Sequence, residues 1–173
     1  VTGELSMDAK ASGVPRNFHF TEALSRKQFK GVVRVEVTYP DGKKQVFVVH
    51  NRIVLQGLDF YVRNLAGVNQ VSLNYIVFSD STQPVNDNET TVPGTWKYGV
   101  AATKSQPSPR TVRFVASLDG GAAGVAGHTL ASIALATGAD GSGEFSRVLL
   151  PTQIPLADRV NVSVTYDIFI TPT

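Results

Sequence analysis

An all-β fold of two packed sheets, with one short helix and an N-terminal arm, is what this sequence predicts, and three observations carry it. From Val33 to Tyr39, Val33, Val35, Val37 and Tyr39 alternate with Arg34, Glu36 and Thr38, the period of two of a strand with one buried face. The same period returns at the other end of the chain, where Val160, Val162, Val164, Tyr166, Ile168 and Ile170 alternate with mainly polar residues. Between them only one segment, Asn51 to Gly67, has a helical period.

Taken in order, residues 1–30 read as an extended arm and lead-in, because Gly3, Gly13 and Pro15 interrupt any period. Such a segment is either a frayed terminus or an arm lying along a neighbouring subunit and anchored through Leu5, Met7, Val14, Phe18 and Phe20, apolar residues that a free tail has less reason to carry. Residues 31–173 form the single domain. After the first strand, Pro40-Asp41-Gly42-Lys43 has turn chemistry: Pro presets φ, Asp caps locally and Gly accepts positive φ. Gln45 to Val49 then completes a hairpin.

Asn51 is the expected N-cap of a helix over about residues 52–66. Val54, Leu55, Leu58, Tyr61, Val62 and Leu65 form its apolar face, and Gly67 its stop. Gly57 costs such a helix about 1 kcal/mol relative to Ala, so either close packing requires it or the helix begins later. The helix is expected to close one end of the sandwich, between the hairpin and a strand from Val71 to Phe78.

Ser79 to Tyr98 is a long polar stretch without a period, the kind of loop that serves function or an interface. Thr111 to Leu118, Thr129 to Thr137 and Phe145 to Leu150 read as further strands, the first two joined by the Gly- and Ala-rich DGGAAGVAGH. No repeat at solenoid or propeller period is visible. A closed, jelly-roll-like β-sandwich is therefore preferred to a repeat array.

The 173 residues suffice for one core, and the 17% of charged residues falls below the usual quarter, which suggests that some surface is covered by copies or a partner. A net charge of +2 with scattered Lys and Arg is not the footprint of a nucleic-acid binder. With no Cys, the chain has neither disulfides nor thiolate chemistry. Nothing approaches the roughly 20 apolar residues of a membrane span, and a soluble protein made in a cytoplasm is expected.

Candidate chemistry is thin. His19, His50 and His128 fall on separate segments without metal-ligand spacing, and no G-x-S-x-G nucleophile elbow occurs. Asp80, Asp87, Asn88 and Glu89 gather oxygen ligands in one loop, yet their spacing fits no EF-hand and a solvated polar loop explains them better. Asp140 and Glu144 make a carboxylate pair with no sign of the apolar surroundings that would separate their pKa values. Trp96 and Tyr98 on the long loop suggest a stacking platform for sugar, an interface anchor, or simple burial against the fold's edge. No catalytic residue, cofactor or metal site is indicated.

The order of hairpin, helix, strand and loop, then strands closing on RVNVSVTYDIFI, resembles small tailed-bacteriophage virion proteins over roughly Val33 to Ile170. The carriers are HNRIVLQGLDFYVRNLAG, the strand exit NYIVFSDSTQP and the alternating terminal strand. The family pattern often follows the polar loop with a Leu, Glu and Arg cluster, whereas here Glu89 is followed by TTVPGTWKYGV without an Arg.

The resemblance implies a structural protein of the virion: a capsid decoration, or cement, protein binding the major capsid protein as a homotrimer. The Gly- and Ala-rich 120s would then pack near the three-fold axis. A tail-tip, collar or fibre-attachment protein is the alternative within that class, and a carbohydrate-binding β-sandwich module is the alternative outside it. Neither nucleic acid nor membrane is an expected partner. The contact residues expected are Leu5, Met7, Phe18, Phe20, Trp96 and Tyr98. Deleting the residues before Asn17 should weaken binding to particles while the domain stays folded; unchanged occupancy on purified particles would remove the arm's outer part from the interface.

Overall fold

A computed structural model describes residues 29–171, which form two five-stranded antiparallel sheets and one helix. The first sheet has the order β2 (Lys44–His50), β1 (Phe29–Thr38), β10 (Asn161–Ile170), β7 (Thr111–Asp119) and β6 (Thr103–Ser108). The second runs β3 (Arg52–Ile53), β9 (Glu144–Pro155), β8 (Thr129–Ala136), β4 (Tyr75–Ser79) and β5 (Lys97–Ala101). The all-β sandwich expected from the alternating segments is what the chain forms. Its rolled character lies in nested pairings of early with late strands: β1 with β10, β3 with β9, and β4 with β8.

The two cleanest sequence patterns lie side by side. Val33, Val35 and Val37 of β1 pair with Tyr166, Val164 and Val162 of β10, and all six are fully buried. These β-branched and aromatic side chains meet Ile76, Phe78, Leu130, Ile133 and Leu135 of the second sheet in one core. The hairpin turn forms as its chemistry dictates, with Gly42 at φ 79° and the Asp41 carboxylate accepting the Lys43 N–H at 3.0 Å.

The helix, α1 (Leu55–Ala66), departs from expectation at its start and in its deepest contact. Asn51 does not cap it. Arg52 and Ile53 first pair with β9, and Val54 precedes the helix in extended conformation without a side-chain cap. The first helical N–H groups are met by neighbouring backbone instead: Val54 donates to Phe145 O at 3.1 Å and Leu55 to Asp87 O at 2.9 Å. Gly67 ends the helix in the left-handed region, as expected.

Of the expected apolar face, Val54 is buried and Leu58 and Tyr61 pack half-buried against the core, whereas Leu55 and Leu65 are exposed and the fully buried helical residues are Gly57 and Phe60. Gly57 explains the shift of the deepest contact toward its side of the helix. A Cβ there would lie 2.3 Å from the carbonyl oxygen of Phe145, so the missing side chain lets the helix lie directly on β9.

Other boundaries shift too. β4 begins at Tyr75 instead of Val71, β9 continues to Pro155 instead of stopping at Leu150, and β1 takes in Phe29 and Lys30 from the expected lead-in. β5 and β6 occupy a stretch with no clear alternation, and β6 is exposed along its whole length.

Gly57→Ala tests the helix seat. Helix propensity alone would favour Ala by about 1 kcal/mol. The clash with backbone should reverse the sign, leaving a net loss of about 1–3 kcal/mol in denaturant unfolding, the usual cost of overpacking.

Candidate functional site

The long loop after β4 covers the face of the second sheet that points away from the core. Small side chains make room for it: Ala134 and Ala136 of β8, with Val77 of β4, form an apolar cluster apart from the main core, and the loop's Val92 packs on it. Backbone bonds fix the contact, with Val92 N–H donating to Gly141 O at 3.0 Å and Thr91 bridging to Ser142. At the loop's base, Asp80 accepts the N–H groups of Thr95 and Trp96 at 2.9 and 3.1 Å, and the Thr95 hydroxyl as well. Burial acts against the charge on Asp80, but these hydrogen bonds outweigh it and hold its carboxyl below the ordinary range.

Arg147 fastens the middle of the loop. It projects from β9 opposite Ala134, on the loop side of the sheet, and is fully buried. Nε and Nη2 donate to the two carboxylate oxygens of Glu89 at 3.2 and 2.7 Å. Nη1 donates to Gln83 O at 2.9 Å, and Nη2 also reaches Pro84 O at 3.4 Å. A planar fork with five N–H donors serves a carboxylate and two carbonyls together, which an ammonium group cannot do.

Glu144 stands 3.6 Å from Arg147 Nε, and it too is fully buried. Neither of its oxygens accepts a hydrogen bond. Burial first, and then the negative charge of Glu89, push its carboxyl up to about 8 against the opposing pull of Arg147. One guanidinium thus faces two carboxyls, and the one without hydrogen-bond donors keeps its proton at neutral pH.

A second polar chain runs between the sheets. The Tyr166 hydroxyl lies 2.8 Å from Ser146 Oγ and accepts from Asn51 Nδ2 at 3.3 Å. Burial raises its pKa, so it stays a neutral phenol. Asn51, expected as a helix cap, instead ties the end of the hairpin to the far strand. Its N–H donates to Gly31 O at 3.1 Å, and a Cβ on Gly31 would collide with its side chain.

The expected site residues are dispersed. Leu5, Met7, Phe18 and Phe20 lie outside the described residues. Trp96 belongs to the core and not to an outer platform. It is buried, its Nε1 donates to Gly124 O at 2.7 Å, and its ring stacks on His128 with centroids 4.9 Å apart. Its neighbour Tyr98 is half-buried on β5. The Gly- and Ala-rich 120s form a compact turn over Trp96, with Val125 buried beneath it.

The loop's oxygen ligands are divided among separate tasks: Asp80 caps Thr95 and Trp96, Asp87 pairs with Arg52 at 2.8 Å, and Glu89 holds Arg147. Among the described residues no group of three or more His, Asp or Glu has metal-binding geometry. Asp140 and Glu144 also part company. Asp140 accepts from the side chain and backbone of Ser142, which lower its pKa, while Glu144 is raised by the burial that the sequence did not reveal.

Among the described residues an apolar cleft of about 280 Å³ opens at the helix end of the sandwich. Phe29, Phe60, Tyr61, Val112, Phe114 and Ile168 line it. Sequence reasoning missed it because its walls come from segments far apart in the chain: Phe29, read as lead-in, and α1, β7 and β10, read as ordinary elements of the fold.

Glu144→Gln tests the buried carboxyl. Between pH 4.5 and about 8 the folded chain retains a proton that the unfolded chain releases, so wild-type stability should fall as pH rises through that window. The depressed carboxyls of Asp80 and Asp140 act below it. The amide variant should show a flatter dependence of thermal midpoint on pH; an equal slope in both proteins would show that Glu144 releases its proton without consequence for the fold.

No protein-family model, no curated protein and no solved structure matches this chain significantly.

Proposed function

We propose that this protein is a structural component of a tailed-bacteriophage virion, a decoration protein that binds and stabilises the assembled head as an oligomer. What supports this role, beside the resemblance in element order, is apolar surface at a sheet edge. β2 is an edge strand, and it turns Val46 and Val48 outward with 42% and 61% of their surfaces exposed. An edge strand left with exposed valines invites pairing with another chain. The buried Arg147 with Glu89, and Asp80 at the loop's base, hold the long loop to the sheet, which suits a binding body with fixed surfaces.

The mechanism is thermodynamic. A copy that binds neighbouring major-capsid subunits in the closed shell, and not the separated subunits, shifts the equilibrium toward the shell by mass action. A homotrimer at a three-fold position would multiply the effect through avidity. The carbohydrate-binding alternative loses ground because Trp96, half of its platform, is stacked on His128 and buried.

Val48→Asp should leave the fold intact, since the side chain is exposed, and lower affinity for particles at least tenfold, the equivalent of about 1.4 kcal/mol. Quantitative gels of purified particles check this and give copy number as well. Hundreds of copies fit decoration, and a handful would move the protein to a tail tip, collar or fibre attachment. Full occupancy by the variant would remove the β2 edge from the interface.

A further inference from the structure

We propose that the apolar cleft at the helix end is the seat of the chain's own residues 18–24, with Phe18, Phe20 or Leu24 filling it as the missing end of the core. The cleft is a gap in the main core more than a separate pocket. Phe29, Phe60, Phe114, Phe145 and Ile168 all line it and all belong to the central cluster of buried side chains. Val112, on the inward-facing side of β7, is nevertheless 43% exposed there. At about 280 Å³ the space falls just below the usual range of small-molecule pockets and suits one or two apolar side chains.

The position of Phe29 names the occupant. It is the first residue of β1, forms one wall of the cleft and meets Tyr61 edge-on at 4.5 Å, so the chain before it starts at the rim. Leu24 precedes it by five residues and Phe20 by nine, giving extended reaches of roughly 17 and 30 Å at about 3.3 Å per residue. A segment tethered this closely has an effective concentration in the millimolar range, well above that of a separate molecule at ordinary protein concentration. Charge agrees, since Glu22 lies between the apolar residues and Arg110 stands among the residues lining the cleft.

This assignment is independent of the virion role. It divides the arm, leaving Leu5 and Met7 for contact with a partner and turning Phe18 and Phe20 inward.

The absence of cysteine from the chain makes a direct test available. In the full-length protein, Phe20→Cys is combined with Val112→Cys at the cleft, or with Lys43→Cys in the exposed turn at the opposite end of β1. Disulfide formation under mild oxidation is then followed on non-reducing gels. The cleft pair should close within single chains at least tenfold faster than the turn pair. Equal rates overturn the proposal, because the segment then has no preferred seat. A predominantly chain-to-chain link through Val112 also overturns it, by assigning the cleft to a second copy. Thermal unfolding of each reduced variant confirms that the fold is present.

Discussion

The buried guanidinium of Arg147 is the interaction on which the arrangement of this molecule depends. A charge removed from water costs several kcal/mol unless its hydrogen bonds are replaced, and here Glu89 and two loop carbonyls replace them. Those partners all lie between positions 83 and 89, so satisfying the arginine requires the loop to lie down across the sheet. Deleting one member of such a pair commonly costs about 3–5 kcal/mol, because the other is left buried and uncompensated. The alanines of β8 add the second requirement, a surface low enough for the loop to cover.

Around this clamp the polar groups of the interior form a graded series. Asp80 remains charged because hydrogen bonds reach it. Glu144 gives up its charge because none does. Tyr166 stays neutral and joins the two sheets through Ser146 and Asn51. Asp80 and Tyr166 thereby position chain. A body so tied is suited to presenting fixed surfaces, which is why the exposed valines of β2 and the open cleft at the helix end attract the functional interest.

Much of the fold was legible in the sequence, and the residues show why. The alternation of Val33 to Val37 and of Val162 to Tyr166 reports burial on one face, a local consequence of strand geometry that needs no knowledge of the partner strand. The turn at Pro40 to Lys43 and the stop at Gly67 are likewise consequences of backbone conformations open to those residues. β6 escaped notice because it is exposed along its length, so no burial pattern marks it. Gly57 was legible as a point of close packing or of a late helix start, and both hold, but hydrophobic periodicity did not register that the deepest contact of the helix runs through the side chain that Gly57 lacks.

The candidate sites were less legible, for a related reason. Trp96 and Glu89 stand in a polar stretch that reads as an open loop, and their true roles appear only once Gly124, His128 and Arg147 are brought beside them. By itself the sequence determined most of the strands, the helix, the tight turns and the two-layer β architecture, because those follow from local conformation and the period of burial. The tertiary structure alone decided that the loop is a clamped cover, that burial raises the carboxyl of Glu144 and that the described residues leave an apolar cleft at one end of the core, because each depends on groups far apart in the chain being brought together.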